Sequence, residues 1–505
     1  MITVFPDQIS ALVSEIQDLY LSTSEPWIVG FSGGKDSSAC AQLVWIAISS
    51  LPPEKRTKPV HIISTDTLVE NPIVTSWLNK SHRAMDEHAA RVGMPWTTHK
   101  LSPMLDETFW VCLIGHGYAA PRPKFRWCTE RLKIHPSNAF IRSIAQTGGA
   151  ILVLGIRKAE SQARAQRMAN KARLDKNENL PGTQVYSPIE DWTNDDVWCF
   201  LMQNQCPWLD QGNKILMAMY RAASADNECP IVVDGTTPSC GASRFGCWTC
   251  TMVEEDKSLG AMIENDPERE WMLPLLMFRD KLDTANDRHW RDFRRMTGLV
   301  QIHKGRTIPG PYTEESRHRW LRELLEAEKE CKRLAPAEFK DLVLISDAEL
   351  RMIRKIWIED KFEFEDALPG IVKDVGRDVE FEALEFSLPP LDWMREAAAD
   401  RFEYEFMRTV YGAVLSKQNV LKAIRRFQYR TESEAVATIA PQRVLFDAPT
   451  TGREYDAMVA AVEKIGTMPA WSAIWFVLGY LHGVKNIERR WGGKLYLDGY
   501  AMGSE

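Results

Sequence analysis

The sequence has no surplus of positive charge. Its 62 Lys and Arg residues stand against 69 Asp and Glu residues, which gives a formal net charge of −7. A protein that binds nucleic acid by itself usually carries a basic surplus. If the substrate is a nucleic acid, the contact must therefore come from a local basic patch or from partner subunits.

Long apolar segments are also missing. The longest, around Trp471 to Leu481, is too short to span a bilayer, and Met1 to Asp7 lacks the basic start and apolar core of a signal peptide. We therefore expect a cytoplasmic protein that does not enter a membrane. Its ten cysteines are then expected to be thiols or metal ligands rather than disulfides.

Short apolar runs alternate with helical patterns over the first 155 residues. The pattern predicts strands at residues 27–31, 60–65, 96–101 and 150–154, and helices at residues 8–21, 39–48 and 72–92. Such alternation predicts an α/β fold with a doubly wound parallel sheet, which binds ligands at the carboxyl ends of its strands. Residues 32–38, 66–67 and 155–157 follow three of these strands, so we expect them to share one rim.

The length of 505 residues exceeds what one hydrophobic core usually holds, so two or more domains are expected. We predict an amino-terminal α/β domain over residues 1–225, a cysteine-bearing segment over 226–264 and a mostly helical region over 265–505. Within the last region, helices are expected at residues 314–334 and 391–411. Breaks are expected at residues 309–311 and 388–390, which are rich in proline.

The most informative motif is Ser-Gly-Gly-Lys-Asp-Ser-Ser, which directly follows the first predicted strand. Its glycines let the backbone approach an anion closely, and the amides of the following helix start point at that anion. We predict a phosphate-binding loop formed by Ser32, Gly33, Gly34, Lys35, Asp36, Ser37 and Ser38. The alternative is a strand–turn–helix junction in which the serines and glycines are incidental.

This loop differs from the Walker pattern, whose glycines are spaced differently. It resembles the SGGxDS pyrophosphate loop of the ATP-pyrophosphatases, which split ATP into AMP and pyrophosphate to adenylylate a substrate. The resemblance implies ATP as a substrate, with Gly155 and Arg157 completing its site. Asp36 and Asp66 are the acidic groups near the proposed phosphates, and either could help to hold the magnesium ion that ATP chemistry normally needs. Asp66 could instead contact ribose or adenine.

Four cysteines lie within 22 residues, spaced C-x10-C-x6-C-x2-C; they are Cys229, Cys240, Cys247 and Cys250. The window is rich in glycine and proline, as expected for a loop that aims several thiolates at one metal. Four thiolates suit either a structural zinc ion or an iron–sulfur cluster. Zinc sites usually consist of paired CxxC motifs, and only Cys247 and Cys250 form one here. The spacing therefore favours a cluster without excluding zinc.

The residues around these cysteines carry a closer resemblance. Residues 239–258, Ser-Cys-Gly-Ala-Ser-Arg-Phe-Gly-Cys-Trp-Thr-Cys-Thr-Met-Val-Glu-Glu-Asp-Lys-Ser, resemble the cluster segment of the DndC family, the sulfurtransferase components of Dnd DNA phosphorothioation systems. The larger family is that of the phosphoadenosine-phosphosulfate (PAPS) reductases. Its motifs here are the Ser32 loop and the segments at residues 126–129, 155–164 and 187–192. In the Dnd component the four cysteines hold a 4Fe–4S cluster, and each ligand has a match in this sequence.

Cys128 lies in a short window that is rich in cations, among them Lys124, Arg126 and Arg131. A thiol among cations has a lowered pKa and is a candidate nucleophile or persulfide carrier. The alternative is a structural cysteine beside cations that bind phosphate. We assign catalytic roles to Lys35, Asp36, Cys128, Arg157 and Arg164.

A second basic stretch begins at the predicted rim and places six positive charges within nineteen residues. Together with the cations around Cys128 it supplies the candidates for binding DNA phosphates: Lys124, Arg126, Arg131, Lys158, Arg167 and Lys171. A solvated helix face is the alternative for this stretch. Two further clusters lie in the helical region, Arg291/Arg294/Arg295 and Arg425/Arg426/Arg430, and their neighbouring aromatic residues are expected to pack between helices.

The resemblance implies a DNA phosphorothioation enzyme that uses ATP to activate a backbone phosphate for replacement of a non-bridging oxygen by sulfur. It implies a cysteine desulfurase as the sulfur donor, other phosphorothioation subunits as partners, and a restriction system that distinguishes self DNA by this mark. Two enzymes remain as alternatives, a tRNA thiolase and a PAPS or adenylylsulfate reductase. A third alternative is an assembly subunit whose nucleotide and metal sites are only structural.

Overall fold

A computed structural model of the protein describes residues 6–146, 148–169, 172–177, 179–224, 245–383, 391–416, 418 and 420–439. These residues divide into two compact units. The first lies within Met1–Phe109, Pro121–Asp283 and Ala327–Leu344, and the second lies within Trp110–Ala120, Thr284–Glu326 and Ile345–Glu505. Neither unit is one continuous stretch of chain. The division into 1–225, 226–264 and 265–505 stays a prediction.

The first unit is organised around a six-stranded sheet of order β3-β2-β1-β4-β6-β5. Five strands are parallel, and β5 pairs with β6 in the antiparallel direction. The strands are β1 (Trp27–Gly30), β2 (Val60–Thr65), β3 (Trp96–Leu101), β4 (Ala150–Val153), β5 (Leu174–Lys176) and β6 (Thr183–Tyr186). The predicted α/β fold with a doubly wound sheet is confirmed, with the correction that the sheet is mostly rather than wholly parallel.

Strands β1 to β4 coincide with the predicted ones. Strands β1, β2 and β4 are runs of mostly buried residues, whereas β3 has apolar residues only at its two ends, Trp96 and Leu101. Strands β5 and β6 were not predicted. They are only three and four residues long and read Leu-Asp-Lys and Thr-Gln-Val-Tyr. Such short, polar segments contain too few apolar residues to show a periodicity.

Helices cover both faces of the sheet, as a parallel sheet requires. Trp27 and Val29 of β1 belong to one buried cluster, and Ile28 belongs to another on the opposite face. The helices of this unit are Pro6–Ser22, Lys35–Ser49, Pro72–Val92, Trp127–Thr129, His135–Ala145, Gln162–Met168, Asn194–Gln203, Gly212–Ala222, Lys257–Glu264 and Leu273–Leu282, with the end of Glu314–Leu334. None of the helices in the described part of the chain is long and apolar enough to cross a membrane.

The long helix after β2 shows how local sequence sets these boundaries. The side chain of Asn71 accepts a hydrogen bond from the amide of Ile73 at 2.9 Å, and Pro72 occupies the first helical position. Gly93 ends the helix in the left-handed conformation at φ 65°. An Asn cap, an initial proline and a terminal glycine are the residues that favour these positions.

The second unit is mainly helical. It contains the helices Asp347–Lys355, Ala367–Val375, Leu391–Ala397, Arg401–Leu415, Val420–Ala423 and Glu432–Ile439, the first part of Glu314–Leu334, and a hairpin of β7 (Ile302–His303) and β8 (Arg306–Thr307). The stretch 391–411 is mostly helical, as predicted, but it contains two helices. Two helices occur there because Asp400 caps the second one, accepting a hydrogen bond from the amide of Glu403 at 3.0 Å.

The predicted break at residues 309–311 is a tight backbone contact. Gly310 donates a hydrogen bond to the carbonyl oxygen of Asp292 at 2.7 Å, and Asp292 donates one to that of Pro311 at 2.8 Å. A Cβ atom on Gly310 would lie 1.5 Å from the carbonyl oxygen of Arg294, so only glycine fits. The other predicted break, residues 388–390, lies outside the described residues.

Candidate functional site

The candidate site lies where the strand order of the sheet reverses. The chain proceeds from β1 to β2 and β3 on one side, and β4 lies on the other side of β1. The loops that follow β1 and β4 therefore flank a crevice, which is where doubly wound sheets bind ligands. A Cβ atom on Gly155, after β4, would lie 2.6 Å from the carbonyl oxygen of Asp36. The two loops thus meet through backbone, as the predicted shared rim requires.

The loop after β1 is fixed by hydrogen bonds from its own serines and from a neighbouring helix. Gly33 adopts φ +73°, and its carbonyl oxygen accepts a hydrogen bond from the indole of Trp77 at 2.9 Å. The Ser37 hydroxyl accepts a hydrogen bond from the Ser32 amide at 3.1 Å and donates to the carbonyl oxygen of Gly34 at 3.0 Å. Gly34 then caps the helix Lys35–Ser49. The resulting cradle ends at a helix start, where backbone amides favour an anion.

Two cations and one carboxylate lie beside this cradle. The Arg157 Nε atom lies 2.6 Å from Asp36 Oδ1, and the Lys35 Nζ atom lies 3.3 Å from Asp36 Oδ2. Arg157 also donates to the carbonyl oxygen of Trp192 at 3.2 Å. Burial lowers the pKa of Lys35, while Asp36 opposes that effect and Arg157 adds to it. One carboxylate therefore positions two buried cations, both of which could contact a phosphate.

A cavity of about 930 Å³ opens in front of the cradle. Its volume is within the range of small-molecule sites. Most of the predicted ATP-site residues line it: Ser32, Gly34, Lys35, Asp36, Ser37, Asp66, Gly155 and Arg157. An apolar wall completes it: Ile63, Val74, Leu78, Ile141, Leu152 and Leu154. A cavity with an anion cradle at one end and an apolar wall suits a ligand that joins phosphates to an apolar ring.

Asp66 lies at the carboxyl end of β2, with both carboxylate oxygens engaged. Oδ1 accepts a hydrogen bond from the amide of Leu68 at 2.9 Å, and Oδ2 lies 2.8 Å from Lys100 Nζ. Ser38, the last residue of the predicted loop, is buried, and its hydroxyl has no hydrogen-bond partner among the described residues. Asp36 and Asp66 are the carboxylates that could hold a magnesium ion at this cavity.

The cations beyond the cradle are mostly paired with carboxylates. Arg164 lines the cavity and forms an ion pair with Glu160. Lys158 lies 3.2 Å from Glu190 and 2.7 Å from Asp191. Arg131 lies 3.3 Å from Glu107. Lys124 and Arg126 are exposed. The side chain of Arg167 and the whole of Lys171 lie outside the described residues.

The cysteine pair of the CxxC motif lies against the loop that follows β2. The Cys247 sulfur lies 3.3 Å from Thr67 Oγ1 and 3.8 Å from Glu70 Oε1. Trp248 donates a hydrogen bond to the carbonyl oxygen of Val69 at 3.0 Å. The other two predicted ligands, Cys229 and Cys240, lie outside the described residues. The Cys247 thiol is thereby placed beside the cavity, since Glu70 also lines it.

Cys128 belongs to the same neighbourhood, because Cys250 and Lys133 both act on its pKa. The expectation that cations lower this pKa is wrong: burial raises it, and the smaller effect of Lys133 does not reverse the direction. Burial likewise raises the pKa of Cys247 to about 12. A metal centre would supply the positive charge that a thiolate needs there. Cys247 and Cys250 are thus two of the four predicted ligands of an iron–sulfur cluster or a zinc ion, and Cys128 is not one of the four.

Tyr220 is a site residue that the sequence did not reveal. Its hydroxyl accepts a hydrogen bond from the Lys35 amide at 3.2 Å, and its ring packs against Phe245 at 4.6 Å between centroids. The Lys35 ammonium lies 5.3 Å from the centre of the same ring. Residues 185 positions apart in sequence give no local signal of such a contact. Only the fold shows that the Tyr220 hydroxyl accepts a hydrogen bond from an amide of the cradle.

Comparison with known proteins finds similarity over the part of the chain that carries this site. Residues 26–253 match the family model of the phosphoadenosine phosphosulfate reductase domain. An uncharacterized protein of Methanocaldococcus jannaschii is 26% identical over 193 residues, which is 38% of this chain and 35% of that protein. The chain thus spans about a third of the length of this curated relative.

Two solved structures resemble parts of the chain. A phosphate complex of PAPS reductase from Candida auris is 18% identical, with coverage of 42% of this chain and 93% of that one and a TM-score of 0.28. The U34-tRNA thiolase NcsA from Methanococcus maripaludis, with its 4Fe–4S cluster, is 14% identical, with coverage of 55% and 81% and a TM-score of 0.25. Scores this low carry no argument about activity. The matched residues 26–253 include the cradle and the CxxC pair.

Proposed function

We propose that the protein is an ATP-pyrophosphatase-type sulfurtransferase that acts on DNA. It would use ATP to activate a backbone phosphate of the DNA. A sulfur atom would then replace one non-bridging oxygen of that phosphate. The observation that carries this proposal is the proximity of the CxxC motif to the cavity with the anion cradle: Glu70 lines the cavity, and its carboxylate lies 3.8 Å from the sulfur of Cys247. The choice of DNA rests on the resemblance of residues 239–258 to the DndC family.

The first half of the reaction would be adenylylation. A non-bridging oxygen of the DNA phosphate attacks the α-phosphorus of ATP, an oxygen–phosphorus bond forms, and pyrophosphate leaves. The cradle amides, Lys35 and Arg157 would neutralise the charge that develops on the departing pyrophosphate. Asp36 and Asp66 would hold a magnesium ion, which offsets charge on the phosphates when it is bound. The apolar wall would hold the adenine ring.

The second half would be displacement of AMP. A phosphate oxygen is a very poor leaving group until it is adenylylated. The terminal sulfur of a persulfide then forms a bond to the DNA phosphorus while AMP departs with the oxygen. Attack by a second thiol frees the thiophosphate and leaves a disulfide, which an external thiol must reduce. A cysteine desulfurase would supply the persulfide sulfur, and Cys128 is the candidate carrier. An iron–sulfur cluster on Cys229, Cys240, Cys247 and Cys250 would supply redox or sulfur-binding capacity.

The first test is mass spectrometry of nuclease-digested DNA and tRNA from cells that express this protein with its genomic neighbours, among which the other phosphorothioation subunits are expected. Parallel strains carry Cys247→Ser or the control Cys199→Ser, which removes a half-buried thiol with no assigned role. We expect phosphorothioate-linked dinucleotides that disappear only with Cys247→Ser. Thionucleosides in tRNA alongside unmodified DNA would instead identify a tRNA thiolase. Sulfur in neither polymer would favour a reductase.

A second test addresses the adenylylation step with purified protein. Pyrophosphate release from ATP in the presence of DNA should fall about 1,000-fold in Lys35→Ala, since Lys35 is one of two buried cations at the cradle. Lys214→Ala is the matched control, because Lys214 is exposed on the helix Gly212–Ala222. If Lys35→Ala releases pyrophosphate as fast as the wild-type protein, the nucleotide site has only a structural role, as expected for an assembly subunit.

A further inference from the structure

The second unit contains a cavity of its own, of about 870 Å³. Its lining includes nine Lys or Arg residues and seven Asp or Glu residues. The nine cations are Arg288, Arg291, Arg294, Arg295, Arg317, Lys361, Arg401, Arg408 and Arg426. The cavity therefore has a positive surplus within a chain whose net charge is −7.

Two basic clusters that are far apart in the sequence, one near Arg294 and one near Arg426, together line this cavity. Arg294 donates a hydrogen bond to the carbonyl oxygen of Tyr429 at 2.8 Å, across 135 residues of sequence. Gly298 approaches the backbone so closely that a Cβ atom there would lie 2.9 Å from the amide nitrogen of Arg426. Arg294 and Arg426 also share one carboxylate, Asp292, at 3.2 and 3.5 Å. Two clusters that are weak signals in the sequence thus become one concentrated group of guanidinium ions.

Two of these cations have a buried donor without an acceptor among the described residues. The Nε atoms of Arg294 and Arg317 are buried and lack a hydrogen-bond partner among the described residues. Arg295 donates to the carbonyl oxygen of Pro309 at 2.9 Å, and Lys361 donates to that of His116 at 3.0 Å. Within the described part of the chain, neither of these two has a carboxylate at ion-pair distance. Buried donors without acceptors are costly, and an anion in the cavity would satisfy them.

The cations also repel one another. Burial lowers the pKa of Lys361 to about 7, and Arg317 and Arg426 lower it further against the opposing effect of Glu363. Burial lowers the pKa of Arg294 as well, with Asp292 opposing and Arg426 reinforcing the effect. Crowded, partly desolvated cations are stabilised when an anion enters between them.

A metal ion is the competing occupant. Ligand atoms of Glu314, His318 and Glu363 lie within 4.8 Å of one another. Both oxygens of Glu363, however, accept hydrogen bonds from Arg317, and Glu314 lies 3.0 Å from Arg408. A divalent cation there would meet Arg317 and Arg408 at close range. The electrostatics of the cavity therefore favour an anion.

We propose that this cavity binds phosphate groups, held by Arg294, Arg295, Lys361 and Arg426. Guanidinium groups match the oxygens of a phosphate in pairs, and the volume of the cavity exceeds the needs of a single phosphate. The phosphate belongs either to a small anion or to the backbone of a DNA strand. This site is separate from the cradle after β1 and does not depend on the proposed sulfur chemistry.

The test is hydrogen–deuterium exchange of the full-length protein, titrated separately with inorganic phosphate and with a short single-stranded DNA oligonucleotide. Peptides covering residues 288–298 and 420–430 report on this cavity, and those covering residues 30–40 report on the cradle. Protection of the first set is expected whatever happens in the second, so that failure of either proposal can be recognised by itself. Protection by inorganic phosphate indicates a small anion, and protection by the oligonucleotide alone indicates a DNA strand.

Variants distinguish binding by these particular side chains from attraction to the total positive charge of the cavity. Replacing both Arg295 and Lys361 by Gln should raise the ligand concentration that gives half-maximal protection about ten-fold, because two charge-assisted donors are lost. Arg401→Gln is the matched control. It removes one charge from the same cavity, but its guanidinium is largely exposed and already paired with Glu315 and Glu405, so little change is expected.

Three outcomes would overturn the proposal. The first is the absence of protection with both probes, which needs only the wild-type protein and so does not depend on how the variants fold. The second is equal weakening in Arg401→Gln and in the double variant. The third is protection by a divalent metal ion but by neither probe, which would assign the cavity to Glu314, His318 and Glu363.

Discussion

The two units each contain a cavity of similar volume, about 930 and 870 Å³, with very different walls. The first has four cations and four carboxylates on its lining, together with an apolar wall and a glycine cradle. The second has nine cations and seven carboxylates and depends on side chains rather than on backbone amides. Backbone amides and an apolar wall select one ligand of defined shape. A field of guanidinium groups accepts any phosphate that enters.

The two kinds of wall should respond differently when one buried arginine is removed. Arg157→Gln should lower pyrophosphate release about 1,000-fold, because Arg157 positions Asp36 and faces the cradle. Arg408→Gln should leave the remaining folded enzyme active but destabilise it by about 3 kcal/mol, since Arg408 is buried and paired with Glu314 and Glu365. Steady-state release and thermal melting separate the two outcomes. Equal losses of activity in both variants would contradict the division of roles.

A pair of glycine substitutions makes the same comparison through the backbone. Gly155→Ala should push apart the loops after β1 and β4, since the new Cβ atom would lie 2.6 Å from a backbone oxygen. A displacement of this kind costs about 100-fold in rate. Gly310→Ala, with its contact at 1.5 Å, should instead lower the melting temperature of the second unit. Pyrophosphate assays and calorimetry measure these effects, and full activity of Gly155→Ala would show that the loops tolerate separation.

Acid should weaken the first unit through His82. The His82 ring lies 2.7 Å from Ser64 Oγ, and burial lowers its pKa to about 4. The unfolded chain, with a histidine pKa of about 6.5, binds a proton between these values while the folded chain does not. Stability is therefore complete above pH 6.5 and falls by up to about 3 kcal/mol as the pH drops toward 4. His82→Gln should flatten this dependence in melting experiments, whereas an unchanged slope would exclude His82 as its cause.

The smallest expected effect concerns Tyr220, which occupies one cradle amide. Tyr220→Phe leaves the Lys35 amide without its acceptor in the empty protein, and an unpaired buried donor costs about 1 kcal/mol. A phosphate that takes this amide would then bind about five-fold more tightly. Isothermal titration with ATP measures the change, with Tyr186→Phe, whose hydroxyl donates a hydrogen bond to Glu15 rather than contacting the loop, as a control for the loss of a phenol. Weaker binding would show that the hydroxyl itself contacts the nucleotide.

How much of this could be read from the sequence depended on the range of each interaction. The cradle was predictable because its glycines, serines and helix start are consecutive, and strands β1, β2 and β4 were predictable because each contains a short apolar run. The contact of Tyr220 with Lys35 and the approach of Cys247 to Glu70 join residues 185 and 177 positions apart. No local pattern encodes such contacts. The direction of the Cys128 pKa failed for a related reason, because cations near in sequence did not offset the burial of the thiol.

The short strand β5 has a consequence for the behaviour of the nascent and concentrated protein. Strand edges are templates on which another extended chain can add, and natural sheets protect them with brevity and charge. Strand β5 is the edge strand on one side of the sheet, where it pairs with β6 in the antiparallel direction. It has only three residues, and two of them, Asp175 and Lys176, carry opposite charges. An incoming strand would gain few backbone hydrogen bonds and would have to bury charged groups. The edge of the sheet formed by β5 is thus a poor template for the growth of fibrils or of strand-exchanged dimers.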